Sequence, residues 1–113
     1  MAKGDFVGEF ELYVMLAITH LADEAYGLGI LREIEERTGR DIAIGAIYAT
    51  LGRLGDKGLV RFVVSDPRSV PGGRSRKHYS LTAAGRRALA HSTSMLSRMM
   101  DGFEPAQAKG SSR

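Results

Sequence analysis

Apolar and polar positions along the chain change period twice, first from one that suits helices to one that suits strands, and then back. Residues 9–22 are apolar without a break from 12 to 18, with Phe10, Tyr13, Val14, Ala17 and Leu21 on one helical stripe and Leu12, Met15 and Ile18 beside it. A helix apolar on more than one face is buried on more than one face. In a small domain the second covering surface is often another subunit, so this stretch points to a dimer. Residues 26–38 place Tyr26, Ile30, Leu31 and Ile34 at helical spacing, with Glu33, Glu35, Glu36 and Arg37 outside and Gly39 as a stop. Residues 44–57 repeat Ile44, Ile47, Tyr48, Leu51 and Leu54, and Gly58 supplies a left-handed terminator.

The period then falls to two. Residues 59–64 are rich in β-branched and aromatic types, and residues 76–81 alternate Lys77, Tyr79 and Leu81 with Arg76, His78 and Ser80. These predict the strands of a hairpin. The link 65–75 holds Pro67, Pro71 and Gly72-Gly73, and Arg68, Arg74, Arg76 and Lys77 gather at its tip and exit. It is too long for a tight turn, and loops of this length on small domains are usually functional. Thr82 is a good N-cap for a last helix over residues 83–102. There Leu89, Ser92, Leu96, Met99 and Phe103 fall at heptad seam spacing, widened by Ala88, Met95 and Met100. Two heptads cannot hold a coiled coil alone, so this stripe is expected to pack against the first helix of a partner chain. Leu12, Met15, Leu89, Leu96, Met99 and Phe103 are the interface expected from that pairing.

Three helices, a hairpin and a last helix make a mainly α fold with a small β-hairpin, α+β in class, in the order of a winged helix-turn-helix. Residues 9–82 would form that domain and residues 83–103 a dimerisation helix. Residues 1–8 and 104–113 have the composition of flexible ends. A chain of 113 residues is long enough for one domain with a core and too short for two.

Charge sharpens the picture. Residues 1–36 carry two cations against eight acids, whereas residues 37–113 carry fourteen against five. That asymmetry points to an anionic partner for the second part, most often nucleic acid. Twelve of the sixteen cations are arginine, the side chain suited to bidentate contact with phosphate and guanine. The outward face of the third helix is expected to present Gly45, Ala46, Ala49, Thr50, Gly52 and Arg53, short enough for the helix to sit deep in a major groove about 12 Å wide. Ala46, Ala49 and Thr50 would meet thymine methyls or let the backbone approach, and Arg53 would reach guanine or phosphate. Tyr48 lies on the apolar stripe and reads equally as core or as a DNA contact. Arg68, Gly73, Arg74, Arg76 and Lys77 of the wing would clamp flanking phosphates or enter the minor groove.

These residues also carry a resemblance. Tyr26-Gly27, Gly45-Ala46-Ile47-Tyr48 with Thr50-Leu51 and Arg53-Leu54, and Lys57-Gly58-Leu59-Val60 are its first half. Gly72-Gly73-Arg74, Arg76-Lys77, Tyr79, Leu81-Thr82 and Gly85 are its second. Together, over about residues 9–90, they resemble the PadR family of transcriptional regulators. The resemblance implies a homodimeric winged-helix repressor whose last helix forms the dimer interface, in the compact subfamily with one short C-terminal helix. It also implies DNA-binding roles for Tyr48, Arg74, Arg76 and Lys77. Ala49 stands where proline is common and Gly52 where a longer polar residue is usual, which leaves the operator sequence open.

Other readings stay in play. Met15, Met95, Met99, Met100 and Phe103 could line an effector pocket at the dimer interface, although core packing is the plainer account. A winged-helix module whose basic loop binds a protein or RNA is the rival to a regulator that binds double-stranded DNA at a pseudo-palindromic operator. Catalysis is not expected: His20, His78 and His91 lie on three different elements, and no phosphate-binding glycine loop opens a helix. Nor is a metal or other cofactor. The absence of cysteine removes disulfides and thiolate metal sites, no stretch is apolar enough to span a bilayer, and Glu9 and Glu11 spoil a secretory signal. A cytoplasmic protein with no membrane partner is the expectation.

Overall fold

A computed structural model describes residues 7–65 and 76–106 of the chain. Its elements are α1 (Glu9–Leu21), a short 3-10 turn (Ala22–Glu24), α2 (Gly27–Thr38), α3 (Ile44–Asp56), β1 (Val60–Val64), β2 (Lys77–Leu81) and α4 (Ala83–Met100). This is the predicted order, with boundaries shifted by a residue or two. No helix among the described residues is long and apolar enough to cross a membrane.

Local chemistry sets the punctuation. Gly39 closes α2 at φ +75°, a left-handed conformation that only glycine adopts without strain, and Gly58 does the same after α3. The turn from α2 to α3 is held by Glu35, whose carboxylate accepts from the Ile42 N–H at 3.0 Å. Thr82 caps α4 as predicted, accepting from the Gly85 N–H at 2.9 Å, and its hydroxyl donates to the Gly58 carbonyl at 2.7 Å. The first turn of α4 is thereby fastened to the junction between α3 and β1. The contact is so close that a Cβ on Gly85 would collide with the Leu59 carbonyl oxygen and lie 2.9 Å from its carbon.

β1 and β2 pair antiparallel, with Val60 opposite Leu81, Phe62 opposite Tyr79 and Val64 opposite Lys77. A bridge between Tyr26 and His78 adds a rung on the other side of β2, and the Tyr79 N–H donates to the Ala25 carbonyl. The hairpin therefore leans on the entrance to α2. The core gathers around α1: Val14, Met15, Ala17 and Ile18 meet Ile30 and Ile34 of α2, Ile47, Leu51 and Leu54 of α3, Tyr79 and Leu81 of β2, and Ala88 and Leu89 of α4.

Two interface expectations are corrected here. Met15 is 0% exposed and belongs to the chain's own core, so it neither faces a partner nor lines a pocket between subunits. Leu89, 9% exposed, is likewise spent inside the chain. The reason is the central position of α1: in a four-helix domain this small, α2, α3 and α4 already cover most of its circumference, and Phe10, Leu12, Tyr13, Leu16 and Leu21 are left half-buried.

Candidate nucleic-acid interface

The amphipathicity of α3 decides which of its residues face outward. Ile47, Thr50, Leu51 and Leu54 point inward, and Gly45, Ala46, Tyr48, Ala49, Gly52 and Arg53 are exposed. Ala46, Ala49 and Arg53 form one outer row, and Gly45, Tyr48, Gly52 and Gly55 the next. Nothing lies within 4 Å of where a Cβ would stand on Gly45, Gly52 or Gly55, so these glycines relieve no internal crowding. Their effect is to keep the outer face slim. Thr50 does not belong to that face: it is 1% exposed, and its hydroxyl oxygen accepts from Arg53 Nη2 at 3.0 Å. The expectation of a Thr50 contact to DNA is thus corrected, because a residue one position after Ala49 turns about 100° round the helix and into the core.

Tyr48 is half exposed, at 50%, and is not a core residue. Its ring lies over Gly27 at the start of α2, where a Cβ would stand 2.6 Å from Tyr48 Cζ. Around it, Tyr26, Gly27, Leu28, Arg76 and Lys77 line a recess between α2, α3 and the base of the hairpin. Arg76 places its guanidinium 4.1 Å from the centre of the Tyr26 ring, and Lys77 its ammonium 4.5 Å from that of Phe62. Such cation–π contacts hold the heads in place while leaving them charged. His78 packs edge-on to Tyr26, and its Nε2 lies 3.0 Å from the Ala22 carbonyl oxygen. Burial pushes the Tyr79 phenol above its ordinary value, with Tyr48 adding to the effect. Arg68, Gly73 and Arg74 lie outside the described residues.

Nothing in the sequence pattern pairs Glu11 with Lys57, yet the fold brings them together. Glu11 is 7% exposed, accepts the Gly8 N–H at 2.9 Å, and receives Lys57 Nζ at 2.9 and 3.1 Å, with Arg53 Nε 3.7 Å away. Burial alone would raise its pKa, but the Gly8 N–H, Lys57 and Arg53 outweigh burial and hold the carboxyl below the usual carboxylate range. The available signal was an acid set between Phe10 and Leu12, at the head of the apolar run.

At the opposite side, α1 and α4 leave an open apolar groove of about 760 Å³ lined by residues that include Leu12, Tyr13, Met95, Leu96 and Met99. Met99 is 82% exposed, and Leu96, Met100 and Phe103 are about half exposed. Of the residues expected at a subunit interface, Leu12, Leu96 and Met99 therefore share one surface. Met95 and Met99 of the expected effector residues line the groove, and Met100 and Phe103 are exposed but not among its lining. Among the described residues no three His, Asp or Glu side chains cluster as a metal would require.

Comparison with known proteins bears on all of this. A PadR family transcription regulator from hypervirulent Clostridium difficile R20291 has the same fold, with a TM-score of 0.70 at 24% identity over 85% of this chain and 98% of that one. A PadR family transcriptional regulator from Eggerthella lenta is 28% identical, with a TM-score of 0.62 over 82% of each chain. Bacillus subtilis PadR, solved in complex with operator DNA, aligns with a TM-score of 0.59 at 19% identity, over 88% of this chain and 62% of that one. No curated protein matches. The profile of the transcriptional regulator PadR-like family matches residues 15–91, well over half the length. The chain therefore belongs to the PadR-like family of transcriptional regulators, winged-helix proteins and not enzymes.

Proposed function

We propose that the protein is a homodimeric, sequence-specific DNA-binding repressor of the cytoplasm. In this reading α3 enters the major groove of an operator half-site, and Arg68, Gly73, Arg74, Arg76 and Lys77 of the wing hold flanking phosphates or the adjacent minor groove. The observation that carries it is the slim exposed face of α3, where Gly45, Ala46, Ala49 and Gly52 offer no side chain longer than a methyl and Arg53 and Tyr48 stand at the margins. A duplex can approach that backbone closely, and the cations fixed at Arg76 and Lys77 flank the same side of the recess beside Tyr48. The Bacillus subtilis relative bound to operator DNA supports the same use of the fold.

The dimer is formed through the groove between α1 and α4, in which Leu12, Leu96 and Met99 of one protomer meet the α4 seam of its partner and Phe103 closes the end. Half-exposed apolar side chains on an otherwise polar helix support this assignment. A small-molecule effector that competes for the same groove, against Met95 and Met99, would regulate binding. Selecting bound fragments from genomic DNA identifies the operator. On that operator, Arg53→Ala reduces discrimination by about 1–3 kcal/mol, whereas Lys77→Ala weakens all duplexes alike. Equal losses on specific and random DNA for both variants would remove α3 from sequence reading. Leu96→Glu yields monomers in sedimentation, and an unaltered dimer would move the interface elsewhere.

A further inference from the structure

Arg53 has an anion of its own before any DNA arrives. Its Nε lies 3.7 Å from the Glu11 carboxylate and its Nη2 donates to Thr50 at 3.0 Å, so one edge of the guanidinium is turned toward the protein. Its side chain is nonetheless 57% exposed and stands in the row of Ala46 and Ala49. Glu11 does not depend on Arg53 to remain ionised inside the fold. Lys57 gives it two hydrogen bonds and Gly8 a third. When Arg53 leaves, Glu11 loses the longest of its contacts and is not orphaned.

Resting on the reading of α3 as the DNA-contacting helix, we propose that Glu11 is a positioning residue that determines specificity, holding Arg53 against the protein unless the duplex presents a base edge or phosphate in register. The physical basis is competition between anions. A phosphate at an arbitrary register offers Arg53 one solvent-screened partner, which must displace a carboxylate already fixed at hand. An operator offers a planar, bidentate acceptor that the guanidinium fork fits, and only this outweighs Glu11. Discrimination is then gained by penalising the wrong partner as well as by rewarding the right one.

The test measures affinity for the selected operator and for a random duplex across a salt series. The decisive variant is the double substitution Glu11→Gln with Lys57→Met, which frees Arg53 while leaving the net charge of the chain unchanged. It is expected to bind random duplex at least about 3-fold more tightly, with a salt slope steeper by about 0.9 per protomer, the increment of one added phosphate contact. The operator-to-random ratio falls, and adding Arg53→Ala abolishes the gain. Lys57→Met alone gives no gain. Thr50→Val, which alters no charge, removes the other tether and is expected to give a smaller gain in the same direction, so the idea stays testable if the Glu11 variants do not fold. Weaker binding to both duplexes at an unchanged slope would reduce Glu11 to a structural residue and overturn the proposal, as would a gain that survives Arg53→Ala or the absence of any gain in Thr50→Val when the others are unfolded. A wild-type protein that binds neither duplex removes the reading of α3, and this proposal with it. One that discriminates normally while the double variant is unaltered overturns this proposal alone.

Discussion

The ring of Tyr48 rests on the backbone of Gly27, so that the helix proposed to contact DNA is braced against the first turn of the helix before it. Only a residue without a Cβ allows this approach. Because Tyr48 is half exposed, its ring can swing aside when crowded. Although Gly27 is buried, the atoms opposing a Cβ there belong to that yielding ring, so Gly27→Ala is expected to change stability by less than about 1 kcal/mol while displacing the phenol and weakening operator binding several-fold. Thermal melts together with binding titrations check this pair of effects.

Gly85 presents the opposite case. A Cβ there would meet the Leu59 carbonyl, which is backbone at the junction of α3 and β1 and has nowhere to go. Overpacking of this kind costs about 1–3 kcal/mol or more, so Gly85→Ala lowers the denaturation midpoint by the equivalent amount. A wild-type midpoint would mean that α4 does not seat on that carbonyl.

The glycines of α3 separate folding from function. Glycine in a helix interior costs about 0.5–1 kcal/mol relative to alanine, and no atom opposes a methyl at Gly52 or Gly55. Both Gly52→Ala and Gly55→Ala raise the melting temperature. Gly52→Ala is also expected to lower operator affinity, because it thickens the row proposed to approach the duplex, and Gly55→Ala, near the end of the helix, to lower it less. Gains in stability with identical affinities would show that the slim face is incidental.

Acid stability follows from Glu11. Its pKa is lower in the folded chain than in the unfolded one, so its contribution is fully present above the ordinary value of 4.5 and is lost as pH falls through the depressed folded value. Glu11→Gln is expected to cost about 1–3 kcal/mol near neutral pH, the size of a lost charged hydrogen bond, and to flatten the acid limb of the stability profile. Denaturation midpoints measured from pH 7 down to about pH 3 compare the two proteins directly.

Much of this was legible in the sequence wherever one residue decides a local conformation. Gly39 and Gly58 end helices and Thr82 begins one because left-handed backbone and a hydroxyl cap need no knowledge of the rest of the fold. The period of Ile47, Leu51 and Leu54 likewise oriented α3. What was hidden is tertiary. Thr50 is small and polar and sits at the edge of the stripe, and its burial is set by how α3 packs into the core. Met15 and Leu89 looked surplus to one chain because the number of helices wrapped around α1 is not written in α1. Glu11 and Lys57 are 46 positions apart, and only the packing of α1 on the end of α3 brings them together. Tyr48 was left open between core and surface, and its exposure depended on a glycine 21 residues earlier.

The central claim is that two copies of this chain grip a duplex with α3 and the basic wings, and salt dependence tests it most directly. If most of the eight wing cations of a dimer touch phosphate, the logarithm of operator affinity falls linearly with the logarithm of salt concentration at a slope of roughly −5 to −7. A flat response, or no binding to double-stranded DNA at low ionic strength, would contradict the account.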